Sequence, residues 1–215
     1  METIRLERKK VYDGLLRMIH AGIGLSIVML ASTAWLSEIF EKGPGEKTVW
    51  MLHIYAGYVL VVSILARAAW GLVGPRHARL GDLWHPRAWR NPIRAMKSGV
   101  RRFGHDPLAS AAYLALYGML AVMTVTGLAL AAVEHGAGPL TPWLFDRTGL
   151  EDLFEGPHEI MFFGVLAFIV VHIGAILLHE WKEGVPIAQE MVSGYQYKKI
   201  DPNKEESTHG TTDEK

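Results

Sequence analysis

Four apolar runs, each close to the length a helix needs to cross a bilayer, constrain this chain more than any other feature. They are MIHAGIGLSIVMLASTAWL from Met18, TVWMLHIYAGYVLVVSIL from Thr48, LASAAYLALYGMLAVMTVTGLALAAV from Leu108 and PHEIMFFGVLAFIVVHIGAILL from Pro157. A helix rises about 1.5 Å per residue, so roughly 20 residues span the hydrocarbon core. No water there can satisfy backbone amides, and each run is read as a helix bonding its own backbone. A soluble bundle would put polar faces on its helices, and these runs have none. The expected fold is therefore all-α, an integral membrane four-helix bundle with spans near 15–36, 48–72, 108–133 and 157–179. ERKK before the first run resembles the start of a signal peptide. The run is too long for one and lacks a small-x-small site before Glu38, so it is read as a retained span.

The basic residues fix an orientation. The segment through Arg17 carries five Lys and Arg, the loop from Arg67 to Arg102 nine, and the C-terminal segment five. The remaining two loops hold only Lys42, Lys47 and Arg147. Both termini are expected in the cytoplasm, in a bacterial inner membrane. In the basic loop, WRNPIRAMKSGVRRF places Trp89, Ile93, Met96, Val100 and Phe103 at helical spacing between positive charges. It is read as a helix over 88–103 lying on anionic lipid rather than on nucleic acid. The net charge of the whole chain is zero, which argues for no nucleic-acid partner. DPNKEESTHGTTDEK is polar enough to predict a disordered tail over 200–215, leaving 1–199 as one transmembrane domain.

Ionisable residues inside a span are functional until shown otherwise. His20, His53, His158 and His172 all fall within the runs, and His179 at the edge of the last. His158 and His172 are fourteen residues apart, about 1400° of helical rotation, so they share a face and stand about 21 Å apart along it. One small ligand cannot bridge that gap, whereas two large ones at different depths can each take one imidazole. Depth pairs His20 with His172 near the cytoplasm and His53 with His158 near the opposite surface. Two facing imidazoles, twice over, suit bis-histidine ligation of two haem b groups, which leaves no open iron position and implies electron transfer. A zinc site or a proton pathway is the competing reading. The chain has no cysteine, so iron–sulfur ligation and covalent haem attachment are both excluded.

Arg17 and Arg67 fall on the faces of His20 and His53 near the inner surface, where haem propionates could pair with them; ordinary anchoring at the cytoplasmic face explains them equally well. His179 is a possible quinone or propionate contact.

Several stretches are similar to those of bacterial cytochrome b561-type proteins and of the b-type cytochrome subunit of nickel–iron hydrogenases. They are the R-x-x-H of Arg17 to His20, HIYAGYVLVVSILARAAWGLVGPRHARL from His53, the H-x13-H of the last run, and PIAQEMVSG. The resemblance covers roughly residues 10–195. One departure is Ala21, where a tryptophan often follows the first histidine. The resemblance implies a dihaem membrane cytochrome b with His20, His53, His158 and His172 as axial ligands. It would pass electrons between a periplasmic redox partner (a dehydrogenase, hydrogenase subunit or c-type cytochrome) and membrane quinone in a respiratory chain. A self-sufficient oxidoreductase working between superoxide and quinone is the alternative; the acidic outer loops, with Glu38, Glu46, Glu151 and Asp152 among them, would repel such an anion. A non-redox metal-binding membrane protein is the third reading.

Overall fold

A computed structural model of the chain describes residues 6–40, 43–75, 78–83, 107–145, 147 and 149–199. Four long helices dominate: α1 (Gly14–Ile39), α2 (Glu46–Val73), α3 (Pro107–His135) and α4 (Glu151–Glu183). All four are long and apolar enough to cross a membrane. Each runs past the expected span at both ends, because residues such as Glu46, Glu151, Asp152 and Lys182 continue the helix where headgroups and water can solvate them. The helix expected over 88–103 and the tail over 200–215 lie outside the described residues.

The chain forms two compact units. One runs from Met18 to Val171 and the other joins the two terminal segments, Met1–Arg17 and His172–Lys215. In the helical unit a central layer of Leu60, Leu120 and Val165 is buried to 4% exposure or less. Ile23 and Ile27 of α1, Ile64 of α2, Met119 and Met123 of α3 and Ile169 of α4 pack against it, so all four helices contribute to one core. The outward positions are equally apolar: Val62, Val125, Phe163 and Val170 are each at least 58% exposed. A surface of that kind is costly in water and natural in lipid, which makes this an all-α membrane four-helix bundle. Residues 40–45 connect α1 to α2, and a stretch with one helical turn at Thr141–Leu144 leads from α3 to α4. Both connections are at the same end of the bundle, called here the connection end. A 3-10 turn, Leu80–Leu83, follows α2.

The terminal unit contains an element the sequence did not lead us to expect. Strand β1 (Leu6–Lys10) pairs antiparallel with β2 (Tyr195–Lys199), Leu6 opposite Lys199 and Lys10 opposite Tyr195. The Arg8 guanidinium lies 5.3 Å from the centre of the Tyr195 ring. A short helix, α5 (Ala188–Ser193), precedes β2 and ends at Gly194, whose φ of +85° suits glycine. Space demands glycine there as well, since a Cβ would stand 2.7 Å from the Tyr12 carbonyl oxygen. The Gly194 carbonyl in turn accepts from the Val11 and Tyr12 N–H groups at 3.0 and 3.1 Å. Asp13 then opens α1, its carboxylate accepting the Leu16 N–H at 2.9 Å.

Candidate functional site

The connection end of the bundle gathers one polar side chain from each long helix: Thr33 of α1, His53 of α2, Thr126 of α3 and His158 of α4. His53 and His158 are both half-buried. His53 comes in the second turn of α2, and His158 follows Pro157, the one proline inside α4. Proline has no N–H, so the helix lacks a donor next to the imidazole.

Each histidine is held in the same way. The Thr33 hydroxyl stands 2.9 Å from His53 Nδ1, and the Thr126 hydroxyl stands 2.9 Å from His158 Nδ1. A hydroxyl has one proton to give. Thr33 Oγ1 gives it to its own helix, to the Met29 carbonyl at 2.7 Å with Leu30 at 3.0 Å. Thr126 Oγ1 does likewise, to Val122 at 2.9 Å with Met123 at 3.3 Å. Toward the imidazoles both hydroxyls can therefore only accept. With each hydroxyl proton kept on its own helix, Nδ1–H is the donor to the threonine and the lone pair falls on Nε2. That is the form of histidine that binds a metal.

A small apolar void of about 20 Å³ lies in the central core layer, among Leu30, Leu60, Leu120, Met123, Phe162 and Val165. Gly127 lets α3 approach His158 closely, because a Cβ there would stand 3.1 Å from His158 Cε1. Trp50 meets the His53 ring edge-on, centroids 5.7 Å apart, and lies 5.4 Å from the His135 ring. Two imidazoles from different helices, in a chain without cysteine, are the donor set of a non-covalently held haem b. Among the described residues no cluster of three or more His, Cys, Asp or Glu could hold a bare metal ion.

The other residues singled out in the sequence are distributed as follows. His20 is an exposed residue of α1 in the helical unit, and His172 a half-buried residue of α4 in the terminal unit. Arg17 turns its guanidinium onto the end of α5: Nε donates to the Met191 carbonyl at 3.1 Å, Nη1 to Ser193 at 3.4 Å, and Nη2 to Val192. Arg67 is buried, donates to the Ala78 carbonyl at 3.0 Å and lies 5.7 Å from the centre of the Tyr117 ring. His179 is exposed and pairs Nδ1 with Glu183 at 3.2 Å, one helical turn away. Sequence reasoning missed Thr33 and Thr126. Their one visible signal is that each lies on a helix without a histidine at that depth, a few turns from the connection end.

Residues 11–194 match the family described as prokaryotic cytochrome b561. The chain is 26% identical to a protein of Rhizobium leguminosarum bv. viciae named as a probable Ni/Fe-hydrogenase B-type cytochrome subunit, over 90% of each chain. It is 27% identical to a probable Ni/Fe-hydrogenase 1 B-type cytochrome subunit of Escherichia coli (strain K12), over 92% of this chain and 95% of the relative. A third protein of that kind, from Rhodobacter capsulatus, is 25% identical over 94% of this chain and 86% of the relative. No solved structure matches.

Proposed function

The chain belongs to the prokaryotic cytochrome b561 family and is a b-type, multi-pass electron-transfer protein of the bacterial inner membrane, and from that premise we propose that it is a dihaem cytochrome b serving a periplasmic hydrogenase. His53 and His158 would hold one haem b through Nε2, and His20 and His172 a second. Bound there, haem b would supply a one-electron carrier, and two histidines holding it would disfavour oxygen activation. The observation that supports this best is the pair of threonine-held imidazoles at the same end of the bundle.

The remaining assignments follow from charge and depth. The Lys and Arg distribution favours both termini in the cytoplasm, so the connection end and the His53/His158 pair would face the periplasm. Residues 1–199 form the transmembrane domain. The connection end displays Glu38, Glu46, Glu151, Asp152 and Glu155, which favours a partner with a basic docking face. Relatives named as hydrogenase cytochrome subunits make a hydrogenase the partner of choice, with quinone as the redox partner at the other end. Arg17, Arg67 and His179 are the candidate propionate and quinone contacts. Arg67 combines a backbone anchor at Ala78 with a buried guanidinium, so it would hold a propionate in a fixed place.

A pyridine haemochrome assay on the purified chain tests the proposal. Two haem b per chain are expected, falling to one in His53→Ala and in His158→Ala. A wild-type value of one haem or none refutes it.

A further inference from the structure

We infer that Thr33 and Thr126 are positioning residues that fix the tautomer and the donor strength of the two histidines at the connection end, and so set the midpoint potential of the haem they hold. The inference rests on the reading that His53 and His158 share one haem, and deepens it. Two observations carry it independently, one on each side of the site. On one side Thr33 Oγ1 meets His53 Nδ1 at 2.9 Å, and on the other Thr126 Oγ1 meets His158 Nδ1 at 2.9 Å.

A threonine in a membrane helix ordinarily satisfies its hydroxyl on a carbonyl of the preceding turn, and that alone would give these two no role. Here the same back-bond commits the only proton of the hydroxyl and turns its remaining lone pairs outward as pure acceptors. Each lone pair falls on an imidazole of a neighbouring helix. The arrangement is duplicated, α1 serving α2 and α3 serving α4. An acceptor on Nδ1–H draws electron density toward Nε2 and raises ligand basicity. A more basic ligand stabilises ferric over ferrous iron, so both threonines push the potential of this haem down. A low potential at the end facing a hydrogenase suits a site that accepts strongly reducing electrons.

The test compares Thr33→Val and Thr126→Val with Thr33→Ser and Thr126→Ser in the full-length purified protein, by spectroelectrochemical titration and by EPR of the ferric haems. The haem absent from His53→Ala identifies which signal to follow. Each valine variant, matched in shape but without the hydroxyl, is expected to raise that midpoint by roughly a tenfold change in the ferric–ferrous equilibrium, about 59 mV for one electron. The double variant should approach the sum, since both act on one iron. Serine should restore the wild-type midpoint, and the second haem should not move. Should a valine variant lose this haem while the second keeps its potential and the serine variant keeps both, the hydroxyl is shown to hold the ligand and the inference stands. Unchanged midpoints, equal shifts of both haems, or shifts that serine fails to reverse overturn it. A wild-type protein without two haems overturns the dihaem reading itself, before any threonine is changed.

Discussion

The connection end of the bundle and the terminal unit satisfy their polar groups by opposite means. In the lipid-embedded site the hydrogen bonds run from side chain to side chain, His53 to Thr33 and His158 to Thr126, and each hydroxyl is tied to its own helix. In the terminal unit they run to the backbone. β1 pairs with β2, Gly194 accepts from Val11 and Tyr12, and the three donor nitrogens of Arg17 close over the last carbonyls of α5. In hydrocarbon the helix has already satisfied its backbone, and only side chains remain for a partner to address. A non-helical segment still has backbone to satisfy, and a charged arginine is a strong donor for it. Side-chain pairing in the one region and backbone fastening in the other follow from where water is.

The largest expected effect separates the two regions outright. His158→Ala should remove the same haem as His53→Ala, halving the haemochrome yield, and leave hydrogen exchange of residues 188–199 unchanged. Loss of protection there would mean the two regions are not separable. Next, Arg17→Met should free the carbonyls of Met191, Val192 and Ser193 and cost on the order of 2–3 kcal/mol, as charged hydrogen bonds at a partly exposed site do. Faster exchange in α5 and β2, with an unaltered spectrum for the haem of His53 and His158, is the expected outcome. Asp13→Ala removes the N-terminal cap of α1 and should lower stability by about 1 kcal/mol, read from thermal unfolding followed at the same haem. The smallest effect sharpens the site: Gly127→Ala places a methyl 3.1 Å from His158 Cε1, and the ring must yield by a few tenths of an ångström. A changed EPR line for one haem is expected, with no more than about 1 kcal/mol lost. An unchanged line would show that α3 can draw back from His158 without cost.

How much of this was legible beforehand depended on how far apart the cooperating residues lie. The helices were plain, because apolar length is a local property. His53 and His158 were plain too, because an imidazole in a span is expensive and their depths follow from counting residues. Thr33 and Thr126 were not. A threonine that bonds its own helix is unexceptional, and its second contact depends on the rotation of one helix against another. The terminal sheet was hidden for a further reason. LERKK and YQYKK are short, charged and lack the alternation that marks a half-buried strand. Their partners are in each other, at opposite ends of the chain. Arg17 was read for its charge, and its place against α5 became visible only with the geometry of the Gly194 turn.

That terminal pairing has a consequence for how the protein is made. β1 is made before the four long helices and β2 after them, so the sheet cannot close until the last span has been synthesised.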